Sequence, residues 1–194
     1  FRRHPGATAA AKLAATAQAM ARTPQPRAAT GGAPPAVPKA AYAKQVREWL
    51  AAQRAELKAA YRTRPQPDRN LRQHAALVDT AIARIANDIG MHANCAIAAV
   101  GGYGRGFLFP ASDVDVVVLL PDADAGSPVA REVIEQFVSL LWDVGLEPGI
   151  AVRTVGECVD EARKDVTVDT SLLETRAVWG DQALVERLRT TLTK

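Results

Sequence analysis

Ser112-Asp113-Val114-Asp115-Val116-Val117-Val118-Leu119-Leu120 is the stretch that decides the fold. β-branched residues dominate it, and they favour the pleated, half-buried surface of a strand. Pro121 and Asp122 end it. Upstream, Cys95-Ala96-Ile97-Ala98-Ala99-Val100 is a short apolar run that enters Gly101-Gly102-Tyr103-Gly104-Arg105-Gly106. That pattern reads as a second strand feeding a glycine-rich turn. Downstream, Ser127-Pro128 supplies an N-cap and a first-turn proline. The helix they open passes through Val133, Phe137, Val138, Leu141 and Val144, and Gly145 closes it. Residues 146–153 are a further strand, which Pro148 assigns to an edge or a bulge. Thr154 with Glu157, and Ser171 with Glu174, have capping-box spacing, so each pair is expected to open a helix. A last helix covers about 182–193, with Leu184, Val185, Leu188 and Leu192 inward.

Two helices precede this unit. Over 41–62, Tyr42, Val46, Trp49, Leu50, Leu57 and Tyr61 share one face, and Pro65 and Pro67 stop the helix. Over 69–89, Leu71, Ala75, Val78, Ile82, Ile85 and Ile89 form one stripe, with Gly90 as the stop. The pair, spanning 41–90, is expected to pack as a hairpin on the domain that follows, spanning 91–194. The fold class is α/β, one sheet with helices packed on it.

Residues 1–40 differ in kind. They are rich in Ala, Pro, Thr and Gly and hold almost no large apolar side chain. Such a segment buries too little surface to offset its ordering entropy, and disorder is expected. The chain's net charge is +3, yet residues 1–40 carry +6 without an Asp or Glu, which leaves −3 on the remainder. A nucleic-acid surface needs a basic folded part, so nucleic acid is not an expected partner. Hydrophobic residues make up 48% of the 194, and charged residues 23%, the balance of a soluble globular protein. No apolar run approaches the roughly 20 residues that span a bilayer, and no secretory leader is visible, so a cytoplasmic protein without a membrane partner is expected. Cys95 and Cys158 stand far apart without a CxxC partner and read as free thiols. His92 beside Cys95 makes only two of the ligands that zinc needs.

The glycine turn fails two familiar templates. A phosphate loop of the Walker type needs Lys and Ser or Thr after its last glycine, and Phe107 stands there. A dinucleotide loop begun at Gly102 and Gly104 would need a third glycine where Phe107 lies. What remains is a turn whose bare backbone can approach a phosphate, with the Arg105 fork beside it. The second element is Asp113-Val114-Asp115. Alternate side chains of a strand share a face, so both carboxylates point one way while Val114 and Val116 enter the core. Two neighbouring carboxylates repel unless a cation lies between them, and Mg²⁺ favours such oxygen donors while bridging to phosphates.

Together, Gly101-Gly102-Tyr103-Gly104-Arg105-Gly106, Leu108, Pro110 and Ser112-Asp113-Val114-Asp115 resemble the signature of the PII-protein uridylyltransferases, members of the DNA polymerase β-like nucleotidyltransferase superfamily. The similarity continues through Leu141-Trp142-Asp143, Val152-Arg153-Thr154, Thr170–Arg176 and Gly180-Asp181, and covers roughly 70–190. The resemblance implies that the sheet is mixed and flanked by helices. It implies transfer of UMP from UTP to a tyrosine hydroxyl of the PII signalling protein, with release of pyrophosphate. It implies Mg²⁺, as two ions, held by Asp113 and Asp115. It places phosphate contacts on Gly101, Gly102 and Arg105, and gives Ser112 a supporting role toward the metal pair or a phosphate. A third carboxylate on the neighbouring strand is expected from the superfamily. Glu147 is the candidate, and Asp143 the runner-up.

Ile150 stands where the family has a His, and Pro148 is unusual in that strand. These two departures are the support for a non-catalytic nucleotide-binding module. A related transferase with another nucleotide or acceptor shares every site residue and stays open beside the first reading. Full family members also carry an HD hydrolase domain and ACT domains. His4, His74 and His92 do not form an HD cluster, so neither UMP removal nor glutamine sensing is assigned to this sequence.

Overall fold

The structure, a computed structural model, describes residues 39–193. The tail expected over 1–40 lies outside them, except that Lys39 and Ala40 already belong to the first helix. Helix α1, Lys39–Thr63, buries Ala43, Val46, Leu50 and Leu57 along one stripe. Helix α2, Pro67–Asp88, buries Ala75, Leu77, Val78, Ala81, Ile82, Ile85 and Ala86. Pro67 does more than end α1. It opens α2, because its fixed φ suits the first helical turn and its missing N–H is not needed there. The two helices pack as a hairpin, joined at their far ends by the Tyr42 hydroxyl donating to Asp88 at 2.7 Å.

Four strands form one mixed sheet in the order β3-β2-β1-β4. They are β1 Ala96–Ala99, β2 Val114–Leu120, β3 Pro148–Thr154 and β4 Arg176–Gly180. β1 lies antiparallel to β2 and to β4, while β2 and β3 run parallel. A parallel pair needs a crossover, and helix α4, Pro128–Asp143, supplies it. It starts as expected, with Ser127 accepting from the Ala130 N–H and Pro128 in the first turn. β3 lies at the sheet edge, where Pro148 is tolerated, and it begins two residues later than the expected 146.

The remaining helices are the one-turn α3, Gly101–Gly104, then α5, Val155–Lys164, α6, Val166–Leu173, and α7, Gln182–Leu192. The capping box of Thr154 and Glu157 forms in full at the start of α5. The second expected box does not form. Ser171 lies inside α6 and Glu174 follows its end, while Asp165 caps that helix by accepting from the Thr167 N–H. The capping spacing was present, but the helix had already begun at the stronger acidic cap. α5, α6 and α7 cover one face of the sheet, enclosing Ala96, Ala98, Val117 and Leu119 with Val155, Cys158, Leu172, Val185 and Leu188. α2 meets the opposite face, where the Trp179 indole N–H of β4 donates to Asn87. Both cysteines are free and buried. Among the described residues, no helix is long and apolar enough to cross a membrane.

The strand β4 escaped the sequence reading. It has five residues, all but the last half-buried, and no clean alternation. Its last residue, Gly180, has φ +84°, and a Cβ there would lie 2.1 Å from the Cys95 carbonyl oxygen. The strand therefore exists by docking against β1, not by its own pattern.

Candidate active site

β1 and β2 meet at one end of the sheet, and there the glycine turn and the carboxylates come together. Ala99 pairs with Val116, and one step further the Val100 N–H donates to the Asp115 carbonyl at 3.1 Å. α3 starts at the next residue. Gly101 has φ +56°, a conformation that a side chain disfavours, so the chain can leave β1 and turn at once. Gly104 is required for another reason. A Cβ on it would lie 1.9 Å from the Glu174 carbonyl oxygen, so the turn packs backbone to backbone against the end of α6.

Asp115 lies on β2 and Asp113 immediately before it, both exposed. Val114, between them, is buried, as alternation requires. Burial and, after it, the charge of Asp113 push the Asp115 carboxyl above its usual range. Neither carboxylate has a salt-bridge partner among the described residues. The register places Asp115 beside Gly149 of β3, and a Cβ on Gly149 would lie 2.5 Å from an Asp115 carboxylate oxygen. Gly149 is thus bare because the Asp115 side chain lies across it.

Glu147 is exposed and stands one residue before β3, outside the strand expected to hold it. Its carbonyl accepts the Val114 N–H at 2.9 Å, which keeps its backbone next to the start of β2. Among the described residues, no three His, Cys, Asp or Glu side chains gather closely enough to hold a metal ion. The pair Asp113 and Asp115 nonetheless fits a hard divalent cation, since Mg²⁺ is commonly held by one or two carboxylates with substrate phosphates completing its shell. Asp143, the runner-up, is engaged elsewhere. Its carboxylate pairs with Lys39 at 3.6 Å, and its carbonyl accepts from Arg47.

Arg105 follows α3 and reaches back to Glu174 at 3.6 Å, with more than half of its side chain exposed. The Ser112 hydroxyl donates to the Phe109 carbonyl at 3.1 Å and closes the turn that delivers the chain to β2. Ile150 pairs with Val116 and lies on the face of β3 opposite Gly149. There it lines a cavity of about 720 Å³ with Ile134 and Val138 of α4. The position that departs from the family pattern therefore points away from the carboxylates.

Three residues of this region went unread in the sequence: Asp79, the hydroxyl of Tyr103, and Arg176. The Tyr103 hydroxyl donates to Asp79 Oδ1 at 2.5 Å. Arg176 donates to both Asp79 oxygens, at 2.8 and 3.1 Å, and to the Tyr103 carbonyl at 3.4 Å. Burial first, then the Asp79 charge, pushes the Tyr103 phenol well above its ordinary value. Asp79 stands beside the apolar stripe of α2 without any motif of its own, and Arg176 sits on the strand that had no legible pattern.

A family model for the nucleotidyltransferase domain matches residues 82–173. That span takes in the glycine turn, both carboxylates, Glu147 and β3. Residues 82–173 form a nucleotidyltransferase domain. Three bacterial relatives, each called a bifunctional uridylyltransferase/uridylyl-removing enzyme, carry the likeness further. The protein from Thiobacillus denitrificans is 49% identical over 141 residues, 73% of this chain and 16% of the relative. That from Burkholderia vietnamiensis is 55% identical over 111 residues, 57% of this chain and 13% of the relative. That from Chromobacterium violaceum is 44% identical over 137 residues, 69% of this chain and 15% of the relative. The family resemblance read from the loop and the carboxylates is borne out. The chain spans only 13–16% of the length of these relatives.

Proposed function

We propose that the domain transfers UMP from UTP to a tyrosine hydroxyl of the PII nitrogen-regulatory protein in an Mg²⁺-dependent reaction. The observation that carries the reading is the juxtaposition of Asp113 and Asp115 with the glycine turn, one hydrogen bond away at the same end of β1 and β2. The uridylyltransferase name of the relatives supplies the nucleotide and the kind of transfer. In the reaction, the tyrosine oxygen bonds to the α-phosphorus, the bond to pyrophosphate breaks, and the phenolic proton is released.

Asp113 and Asp115 would hold the cations, with Glu147 as the third carboxylate, and the cations would neutralise charge on the attacking and leaving oxygens. The backbone of Gly101 and Gly102 lets phosphate approach closely, and Arg105 offers a charged fork. Ser112 secures the approach of the chain to Asp113 through its bond to Phe109. Ile150, on the far face of β3, does not bear on the carboxylates, which leaves the non-catalytic reading without its main support.

Incubation with labelled UTP, Mg²⁺ and PII should label PII, and Asp113→Asn or Asp115→Asn should abolish the labelling. Equal labelling by the variants would remove the reading. Transfer from ATP, CTP or GTP in preference to UTP would keep the chemistry and change the nucleotide.

A further inference from the structure

The glycine turn is short and carries three glycines in its four residues, so its own backbone gives it little rigidity. Its one bulky side chain, Tyr103, is 2% exposed. That ring points away from the open side of the turn and toward α2. At its tip it meets Asp79, which lies 24 positions earlier in the chain. Asp79 is gripped through both oxygens by Arg176, the first residue of β4, 97 positions later. The guanidinium also lies 5.4 Å from the centre of the Tyr103 ring and donates to the Tyr103 carbonyl. The turn is therefore held twice at one residue, through the side-chain hydroxyl and through the backbone carbonyl, and both holds lead to the same two charged groups.

We propose that Asp79 and Arg176 are positioning residues, which fix the glycine turn through Tyr103 in the geometry that receives the nucleotide phosphates. This rests on the nucleotidyltransferase reading for its consequence and on the hydrogen-bonded ring for its cause. The pair itself touches neither the carboxylates nor the open side of the turn. Without it, the turn would sample other conformations, and nucleotide binding would have to supply the ordering. A misplacement of about 1 Å in such a group can lower activity on the order of a hundredfold.

Tyr103→Phe removes only the hydroxyl and keeps the buried ring. Asp79→Asn keeps the shape and removes the charge that Arg176 grips. Each is measured in the full chain for thermal unfolding, for amide exchange at Gly102, Gly104 and the β2 strand, and for the KM and kcat of UTP with PII as acceptor. The expected result is faster exchange at Gly102 and Gly104 with β2 still protected, and a KM for UTP raised tenfold or more in the folded variants. A purely structural role would lower the unfolding temperature while leaving KM and the glycine amides unchanged, and that result overturns the proposal. Should Asp79→Asn fail to fold, Tyr103→Phe decides alone. If the unaltered chain binds no UTP, the proposed function fails. Exchange at the glycines then still decides whether Asp79 and Arg176 brace the turn.

Discussion

The two halves of the site are built in opposite ways. The glycine turn is braced from behind: Tyr103 is buried, Gly104 is packed on the Glu174 carbonyl, and Asp79 and Arg176 close a ring on the side away from its open face. The carboxylates a hydrogen bond away are exposed, mutually repelling and without a paired cation among the described residues. One half has engaged its polar groups within the protein, all but the buried Arg176 Nε, which has no hydrogen-bond partner. The other keeps its charge unspent, which is what a group needs if it is to be satisfied by a bound ion. A site with both halves loose would lack aim, and one with both halves satisfied would lack affinity.

The largest expected effect lies in the unsatisfied half. Asp115→Asn should lower UMP transfer by at least on the order of a hundredfold, the loss that follows even from disturbing a group that supports a metal ligand. In the same variant, measured without divalent cation, the unfolding temperature should stay level or rise, because the repulsion with Asp113 is relieved. A fall in cation-free stability would mean that this half is satisfied internally after all. The next effect comes from Gly149→Ala. The new Cβ displaces the Asp115 carboxylate, a movable group, so activity should fall about tenfold to a hundredfold with the fold retained. Steady-state kinetics and circular dichroism check both parts.

The same substitution in the braced half should act on stability instead. At Gly104 the new Cβ meets backbone, which cannot yield, and unfolding in urea should show a loss of about 1–3 kcal/mol, the usual range for overpacking. Equal activity losses at Gly104 and Gly149 with equal stability would erase the contrast. The smallest effect concerns the hairpin that carries Asp79. His74 of α2 is buried, and burial, followed by the charge of Arg54, holds its imidazole below the ordinary value. The unfolded chain therefore takes up a proton before the folded one as pH falls through about 6.5, and stability should decline below that pH. A His74→Gln chain should lose that slope, which a series of urea titrations would detect.

Much of this was legible in residue order. The β-branched run after Asp115, the proline and glycine punctuation, and the cap at Ser127 sufficed for β2 and α4, because those signals act over a few residues. Asp113 and Asp115 could be placed on one face by alternation alone. The failures share a cause. Ser171 and Glu174 had the spacing of a cap, but α6 had already started at Asp165. β4 had no pattern of its own and formed because β1 offered an open edge.

The sequence by itself determined the glycine turn, the carboxylate pair and the two strands, β1 and β2, that carry them, since each rests on local periodicity or on a short contiguous motif. Only the tertiary structure decided that Gly149 is bare to make room for Asp115. Only it turned Ile150 to the other face of β3, and only it joined Asp79, Tyr103 and Arg176. Those facts depend on strand register and on contacts between residues up to 97 positions apart. No local spacing encodes them, because the partner that gives each residue its role is supplied by a different element of the fold.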